Sequence, residues 1–401
     1  MVPNGWCVKT LGDLTHYSAF GPRFSSDLYS DDGSVGTIRT TDLNDEGEIN
    51  YSTIPYANVP DSFKSHFLDD GDLLITRSGS CGIPCVFVKQ DKPIIAGAFL
   101  IRFVLNENAD VTFLHALLKS EKVQIRIQNL ASGGVQKNLS GTNLKKLELL
   151  VPPLPEQKKI AKILSTWDKA ITTTEQLLAN SQQQKKALMQ QLLTGKKRLL
   201  DKNGGRFSGE WKDIRLKSVL REVKTRNKDN SIDRVLSVTN HSGFVLPEDQ
   251  FSKRVASDDV SNYKVVKKGE YGYNPSRLNV GSFARLDSYE EGLLSPMYVV
   301  FSVNEKILNS DYFMNWMSSN EAKQRISGST QGSVRDSVGF DSLCGFPFKL
   351  PPMAEQQKIA AVLSTTDQEI SALQQKLNAL KQEKKALMQQ LLTGKRRVTL
   401  N

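Results

Sequence analysis

KKALMQQLLTGK occupies residues 185–196, and the same twelve letters return at residues 384–395 of a 401-residue chain. Twelve consecutive identities at an offset of 199 mark an internal repeat, which has to be delimited before any element is assigned. At the same offset VPPLPEQKKIAKILSTWDKAI (151–171) faces LPPMAEQQKIAAVLSTTDQEI (350–370). The two share Pro152/Pro351, Pro153/Pro352, Glu156-Gln157/Glu355-Gln356 and a Leu-Ser-Thr triplet. The repeated unit therefore runs from about 151 to 198 and again from 350 to 397.

Each copy predicts one long helix. Prolines precede it, as suits a helix start, and Gly195 and Gly394 follow its last leucines beside lysines, as suits a C-terminal cap. In the second copy Ile359, Leu363, Thr366, Ile370, Leu373, Leu377, Leu380, Lys384, Leu387 and Leu391 alternate by four and three, a sustained heptad seam. The first copy places Ile160, Leu164, Trp167, Ile171, Thr174, Leu178, Ser181, Lys185, Leu188 and Leu192 there, with a softer middle at Thr174 and Ser181. A seam this narrow is unlike the broad apolar face of a helix lying on its own domain. The expectation is that the copies pair antiparallel about a pseudo-two-fold axis, Lys185 and Lys384 fixing the register and offering contacts to partner chains.

The regions between the helices also match in outline. Trp6 and Leu11-Gly12-Asp13-Leu14 correspond to Trp211 and Leu216-Lys217-Ser218-Val219. FLDDGDLLITRSGSCG (67–82) parallels YKVVKKGEYGYNPSRLNVG (263–281): a glycine–acid turn, a short apolar strand and a polar loop. GGVQKNL (133–139) parallels GSVRDSV (332–338). The predicted order is a variable α/β (α+β) domain at 1–150, a helix at 151–200, a second domain at 201–349 and a second helix at 350–401.

Composition adds limits. The net charge is +10; residues 151–205 carry ten lysines and arginines against four acids and residues 350–401 eight against four, so the long intervening regions are balanced taken together. Basic excess concentrated in helices is weak support for DNA binding, which must come from local patches. Four cysteines and no secretory pattern at the first residues predict a reducing cytoplasm, and the longest apolar run is too short to span a membrane. Cys81 and Cys85 form a CxxxC with no second Cys/His pair nearby, and His16, His66, His115 and His241 show no ligand spacing, so no metal site is predicted. Tyr273-Asn274-Pro275-Ser276 lacks the second proline and aromatic of an adenine-methyltransferase loop, and Gly195-Lys196 lacks the rest of a phosphate-binding loop. The sequence shows no catalytic residue set, which argues for binding.

The duplicated PPLPEQKKIAKIL and PPMAEQQKIAAVL, with the two ALMQQLLTGK helix ends, resemble the specificity (S) subunit of type I restriction–modification systems over the whole chain. One departure between the copies is Pro155 against Ala354 before the Glu-Gln pair. The resemblance implies two target-recognition domains that each read half of a bipartite double-stranded DNA target, with the helices setting the gap. It also implies two methyltransferase (M) subunits docked on the helices and two restriction/motor (R) subunits. S-adenosylmethionine, ATP and Mg²⁺ then belong to those partners, with no cofactor and no catalysis in this chain.

Base-reading candidates are the polar loops after the aligned turns, Arg77, Ser78 and Ser80 in the first domain and Asn274, Arg277 and Asn279 in the second. Arg39, Lys64, Lys224, Arg226 and Arg335 are secondary candidates. The basic ends Lys196-Lys197-Arg198 and Lys395-Arg396-Arg397 suit DNA phosphate, the M subunits or helix-end charge compensation. Two rival readings are a coiled-coil regulator or architectural DNA binder, and a self-contained methyltransferase or nuclease.

Overall fold

The computed structural model describes residues 2–131, 138–249, 259–330 and 337–399. The two repeats form helices of equal length, Leu154–Leu192 and Met353–Leu391, 39 residues each. The chain divides into two compact units, Met1–Glu175 with Gln375–Asn401, and Gln176–Gln374. Each helix is thus shared: its first half stays with the domain before it, and its second half joins the other unit.

In the first unit the opening strand Cys7–Thr10 pairs antiparallel with Glu148–Val151, closing the domain just before its helix begins. A four-stranded antiparallel sheet follows the order Thr15–Phe20, Leu100–Leu105, Leu73–Thr76, Pro84–Val86. A smaller sheet adds Tyr56–Ala57, Val35–Ile38 and Ile94–Ala96, the last two parallel. Helices Val111–Lys119 and Glu121–Leu130 complete the domain. The second unit repeats the plan. Lys212–Arg215 pairs with Pro347–Leu350, and the four-stranded order is Leu220–Glu222, Val299–Val303, Tyr271–Tyr273, Phe283–Arg285. Helices Ser310–Met317 and Asn320–Thr330 stand where the first unit has its helix pair. Among the described residues no helix is long and apolar enough to cross a membrane.

The cores show how the shared helices are used. Leu11, Leu14, Leu73, Ile75 and Phe103 of the first domain pack with Ile160, Ala161 and Leu164 from the first helix and Leu391 and Leu392 from the second. In the second unit Tyr271, Phe301, Phe313 and Trp316 pack with Ile359, Ala360 and Leu363, and with Leu192 and Leu193. Along the seam Leu178 and Leu377 are buried, while Trp167, Ile171, Leu188, Ile370, Leu373 and Leu387 are half-buried. Thr174 and Ser181 are buried too, the Thr174 hydroxyl bonding back to the Ala170 carbonyl (2.8 Å).

Within each unit the helix segments run antiparallel. Lys384 pairs with Asp168 and Lys381 with Glu175 in the first, and Lys185 with Asp367 in the second, so one residue number falls as the other rises. A fully buried leucine contributes roughly 1.5–3 kcal/mol and an exposed ion pair roughly 0.2–1. The apolar seam therefore drives pairing, and the lysine–aspartate contacts select the register.

At the helix starts the duplicated Glu-Gln pair acts as a clamp. Glu156, 1% exposed, accepts from Trp6 Nε1 (3.2 Å) and from Arg397 Nε (2.7 Å) and Nη2 (2.8 Å). Glu355, fully buried, accepts from Trp211 Nε1 (2.9 Å) and from Arg198 Nε (2.5 Å) and Nη2 (2.7 Å). Arg397 Nη1 also donates to the Asn4 carbonyl and Arg198 Nη2 to that of Gly209. Of the basic helix ends, then, Arg198 and the partly exposed Arg397 are held by the buried glutamates of their own units; Lys196, Lys197, Lys395 and Arg396 are exposed. Next along, Gln157 Oε1 accepts from Asp110 N, and Gln157 Nε2 donates to the Asn108 and Pro152 carbonyls. Gln356 makes the same three bonds to Asn309 N, Ile307 O and Pro351 O. Asp110 and Asn309 are the N-caps of the helices Val111–Lys119 and Ser310–Met317, so each glutamine ties the long helix to the cap of a domain helix. Gly394 has φ +67°, and a Cβ there would come within 2.5 Å of Pro3 Cγ, so this cap must be glycine.

The Arg397 hydrogen bonds hold the Glu156 carboxyl below its ordinary value of 4.5, against the opposing effect of burial. A carboxyl depressed on folding stabilises the protein above its unfolded value, and that contribution is lost as the pH falls through the lowered one. Glu156→Gln should lower the urea midpoint at pH 7, with wild type and variant converging as the pH drops below 4.5. A constant gap between the two curves would show that the charge is not what stabilises the clamp.

Candidate nucleic-acid interface

The candidate loops leave equivalent places in the two domains. Gly71 and Gly269 both take φ +84°, the left-handed conformation their turns require. The acids that follow brace those turns: Asp72 Oδ2 accepts from Asp69 N (2.7 Å) and Glu270 Oε2 from Lys267 N (2.8 Å). Burial pushes both carboxyls up. Next come Leu73–Thr76 and Tyr271–Tyr273, each the third strand of its four-stranded sheet, and then the loops 77–83 and 274–282. Each loop is fastened to the segment before the last short helix. Leu139 N donates to Arg77 O (2.9 Å), and Val338 N to Pro275 O (3.0 Å).

The loops differ in what supports them. The first is seated on the helix Glu121–Leu130, where Gln124 and Gln128, one turn apart, donate to the Gly82 and Cys81 carbonyls (3.0 and 2.7 Å). A Cβ on Gly82 would strike Ile127 at 2.5 Å, so no space remains there. Thr76 Oγ1 donates to Ser80 O and accepts from Ile83 N, bracing the turn from inside. Among the described residues the second loop has no such helix seat; besides the Val338 tie, Ser282 Oγ donates to the Val238 carbonyl (2.9 Å) and the turn is capped from within. Asn274 Oδ1 accepts from Ser276 N (3.0 Å), capping the short turn Pro275–Arg277, and Leu278 anchors it in the core. Beyond it lies a cleft of about 990 Å³ lined by Asn240, Ser242, Asn279, Val280, Met317 and Lys323, among others. The first domain's seat is closed and the second's stands open.

Arg77 and Ser78 are half-buried and Ser80 is exposed; in the second domain Asn274 is half-buried and Arg277 and Asn279 are exposed. The structure therefore gathers each set on one loop. The secondary candidates are spread out. Arg39 Nε and Nη2 grip the buried Asp42 (3.0 and 2.8 Å), and Nη2 also donates to Thr53 O, which gives this arginine a local structural task. Lys64 pairs with Asp61 (3.0 Å) and Lys224 with Glu222 (3.1 Å) at the surface, and Arg226 donates to Asn262 O. Arg335 lies outside the described residues.

Sequence reasoning missed Asn138, whose Oδ1 accepts from Arg77 Nε and Nη2 (3.3 Å each), and Phe20, whose ring lies 4.2 Å beneath the Arg77 guanidinium. Sixty-one positions separate Arg77 from Asn138, and no local pattern signals their meeting. Cys81 and Cys85 are buried thiols, Cys81 Sγ donating to the Arg77 carbonyl, and burial pushes the thiol of Cys85 up to about 12.

Asn274→Ala should loosen the second loop by about 1 kcal/mol, the usual worth of a side-chain cap. Faster amide exchange at Ser276, with the strand Tyr271–Tyr273 unchanged, is the expected reading; unchanged exchange at Ser276 would deny the cap its role.

The family model described as the type I restriction modification DNA specificity domain matches residues 3–181 and 272–382. Among curated relatives, the putative type I restriction enzyme MjaX specificity subunit of Methanocaldococcus jannaschii is 24% identical over 99% of this chain and 95% of its own. The MjaVIII specificity subunit of the same organism is 24% identical over 99% and 94%. Of solved structures, the S subunit of a type I restriction–modification system from M. genitalium superposes with a TM-score of 0.59, at 15% identity over 99% of this chain and 97% of that one. The HsdS subunit from Thermoanaerobacter tengcongensis gives 0.52, at 16% identity over 98% of each.

Proposed function

This chain belongs to the type I restriction–modification DNA specificity family, and we propose that each of its compact units reads one half of a bipartite DNA target. One observation carries the reading. The frame recurs residue for residue in both units, Trp6–Glu156–Arg397 against Trp211–Glu355–Arg198, while the loops on the equivalent strands differ in sequence, length and support. An invariant mount with divergent tips is what two different half-sites demand of one chain.

In this scheme Arg77 and Arg277 offer guanine contacts, Asn274 and Asn279 adenine contacts, and Ser78 and Ser80 hydroxyls to either base or phosphate. The chain works without catalysis of its own, in a complex with two methyltransferase subunits docked on the two equivalent frames and two restriction subunits. Methylation and cleavage, with S-adenosylmethionine, ATP and Mg²⁺, take place in those partners. The helices set the gap between half-sites, since length added to them changes no loop.

Co-expression with the neighbouring methyltransferase subunit in a methylation-free host, followed by modified-base sequencing, tests the reading. A gapped two-part adenine motif is expected; an active methyltransferase that yields no such motif would overturn it.

The gap is tested separately. Seven residues inserted after Glu175 and seven after Gln374 fall at the unit boundaries and preserve seam phase and every contact within each unit. At ~1.5 Å per residue, against ~3.4 Å per base pair, the gap should lengthen by about three base pairs with both half-sites intact. Altered half-sites would rule out a spacing role for the helices.

A further inference from the structure

Arg77 differs from its counterpart in how it is held. Its backbone is fixed on both sides, N–H to Phe99 O (2.9 Å) and C=O from Leu139 N (2.9 Å). Its guanidinium lies over the Phe20 ring, and one edge, Nε with Nη2, is covered by Asn138 Oδ1. The other edge, Nη1 with the second Nη2 hydrogen, is the end-on fork. Among the described residues no protein group occupies that fork, and none pairs with the Arg277 side chain.

A guanidinium presents its hydrogens along two forks, and either can grip guanine O6 and N7 in the major groove. With the side-on fork occupied and the plane set against a ring, only the end-on fork is left, in one orientation. Arginine loses much side-chain freedom when it is immobilised, and Arg77 has already lost it in the free protein, whereas Arg277 must lose it on binding. Phe20, 43% exposed, lays apolar surface against the group, and Phe99, 53% exposed, is the residue whose carbonyl takes the Arg77 N–H. That surface suits base edges and a thymine methyl better than a phosphate, which an arginine reaches without such framing.

We propose that Asn138 is a positioning residue that aims Arg77 end-on at a guanine in the half-site read by the first unit. The proposal rests on the DNA-reading function above. Asn138 touches the DNA through Arg77, and its effect is on discrimination rather than on affinity alone.

The test uses the complete specificity–methyltransferase complex and DNA duplexes substituted at each position of the wild-type motif. Asn138→Ala should reduce the preference for guanine at one position of one half-site by about tenfold, leaving the other half-site untouched. Asn138→Asp keeps an acceptor for Nε and Nη2, so it should retain the preference while its added negative charge weakens binding evenly across all duplexes. Phe20→Leu, which removes the ring beneath the guanidinium, should erode the same position less. Equal losses on every duplex for Asn138→Ala, or an unchanged preference, would overturn the proposal. A wild-type complex that shows no gapped motif would instead refute the function on which it rests.

Discussion

A carboxylate buried in the first turn of each long helix is the constraint on which the rest depends. Glu156 and Glu355 are almost wholly removed from water, and an unpaired charge in such a place would cost several kilocalories. The helix dipole and one indole N–H offset part of that cost. The rest is offset by a bidentate arginine that neither domain carries: Arg397 comes from the end of the second helix, and Arg198 from the end of the first. Each domain is therefore completed by the tail of the helix that follows the other domain. KKALMQQLLTGK occurs twice because both domains need the same closing piece, and the copy at 185–196 closes the second unit, not the one it follows.

Around that constraint the domains have been free to diverge. The strand that bears Leu73 and Ile75 in the first core bears Tyr271 and Tyr273 in the second, where Tyr271 stacks on Phe301 at 5.1 Å. Cores tolerate such exchange when total volume and pattern are kept. The loops have diverged further, one braced against a helix by two glutamines and the other standing over a cleft. What cannot drift is the set of residues that meet across long separations: the tryptophan, the Glu-Gln pair, the arginine and the glycine cap.

How much of this was legible in the sequence follows from the range of the interactions. Seam positions, helix ends and glycine–acid turns are written in local periodicity and local turn chemistry, so their residues could be named from the letters alone. The clamp joins residues 157 and 241 positions apart, and no spacing rule links Arg198 to Glu355 or Arg397 to Glu156. The repeat did contain a clue: arginine stands at 198 and 397, glutamate at 156 and 355, so any contact made once had to be made twice. The tie of Arg39 to Asp42, only three residues on, was within reach of sequence reasoning. The meeting of Arg77 with Asn138 was not, because it depends on how a hairpin loop lies against a distant segment.

The clamp also changes the meaning of the net charge. The excess of +10 sits in the helical repeats, where it looks like an electrostatic footprint for DNA. That figure is already net of the acids in the repeats, so pairing inside the fold leaves the excess in place and decides which cations carry it. Arg198 and Arg397 are held by buried glutamates, and Lys185, Lys381 and Lys384 by acids on the opposing helix segment. Cations already paired in the fold have fewer counterions to release from a phosphate backbone, so they add less to DNA affinity than free ones would. The exposed lysines of the repeats keep that long-range charge, which attracts a phosphate backbone without telling bases apart, so on the proposed reading discrimination falls to the loop tips, where the orientation of a single arginine matters.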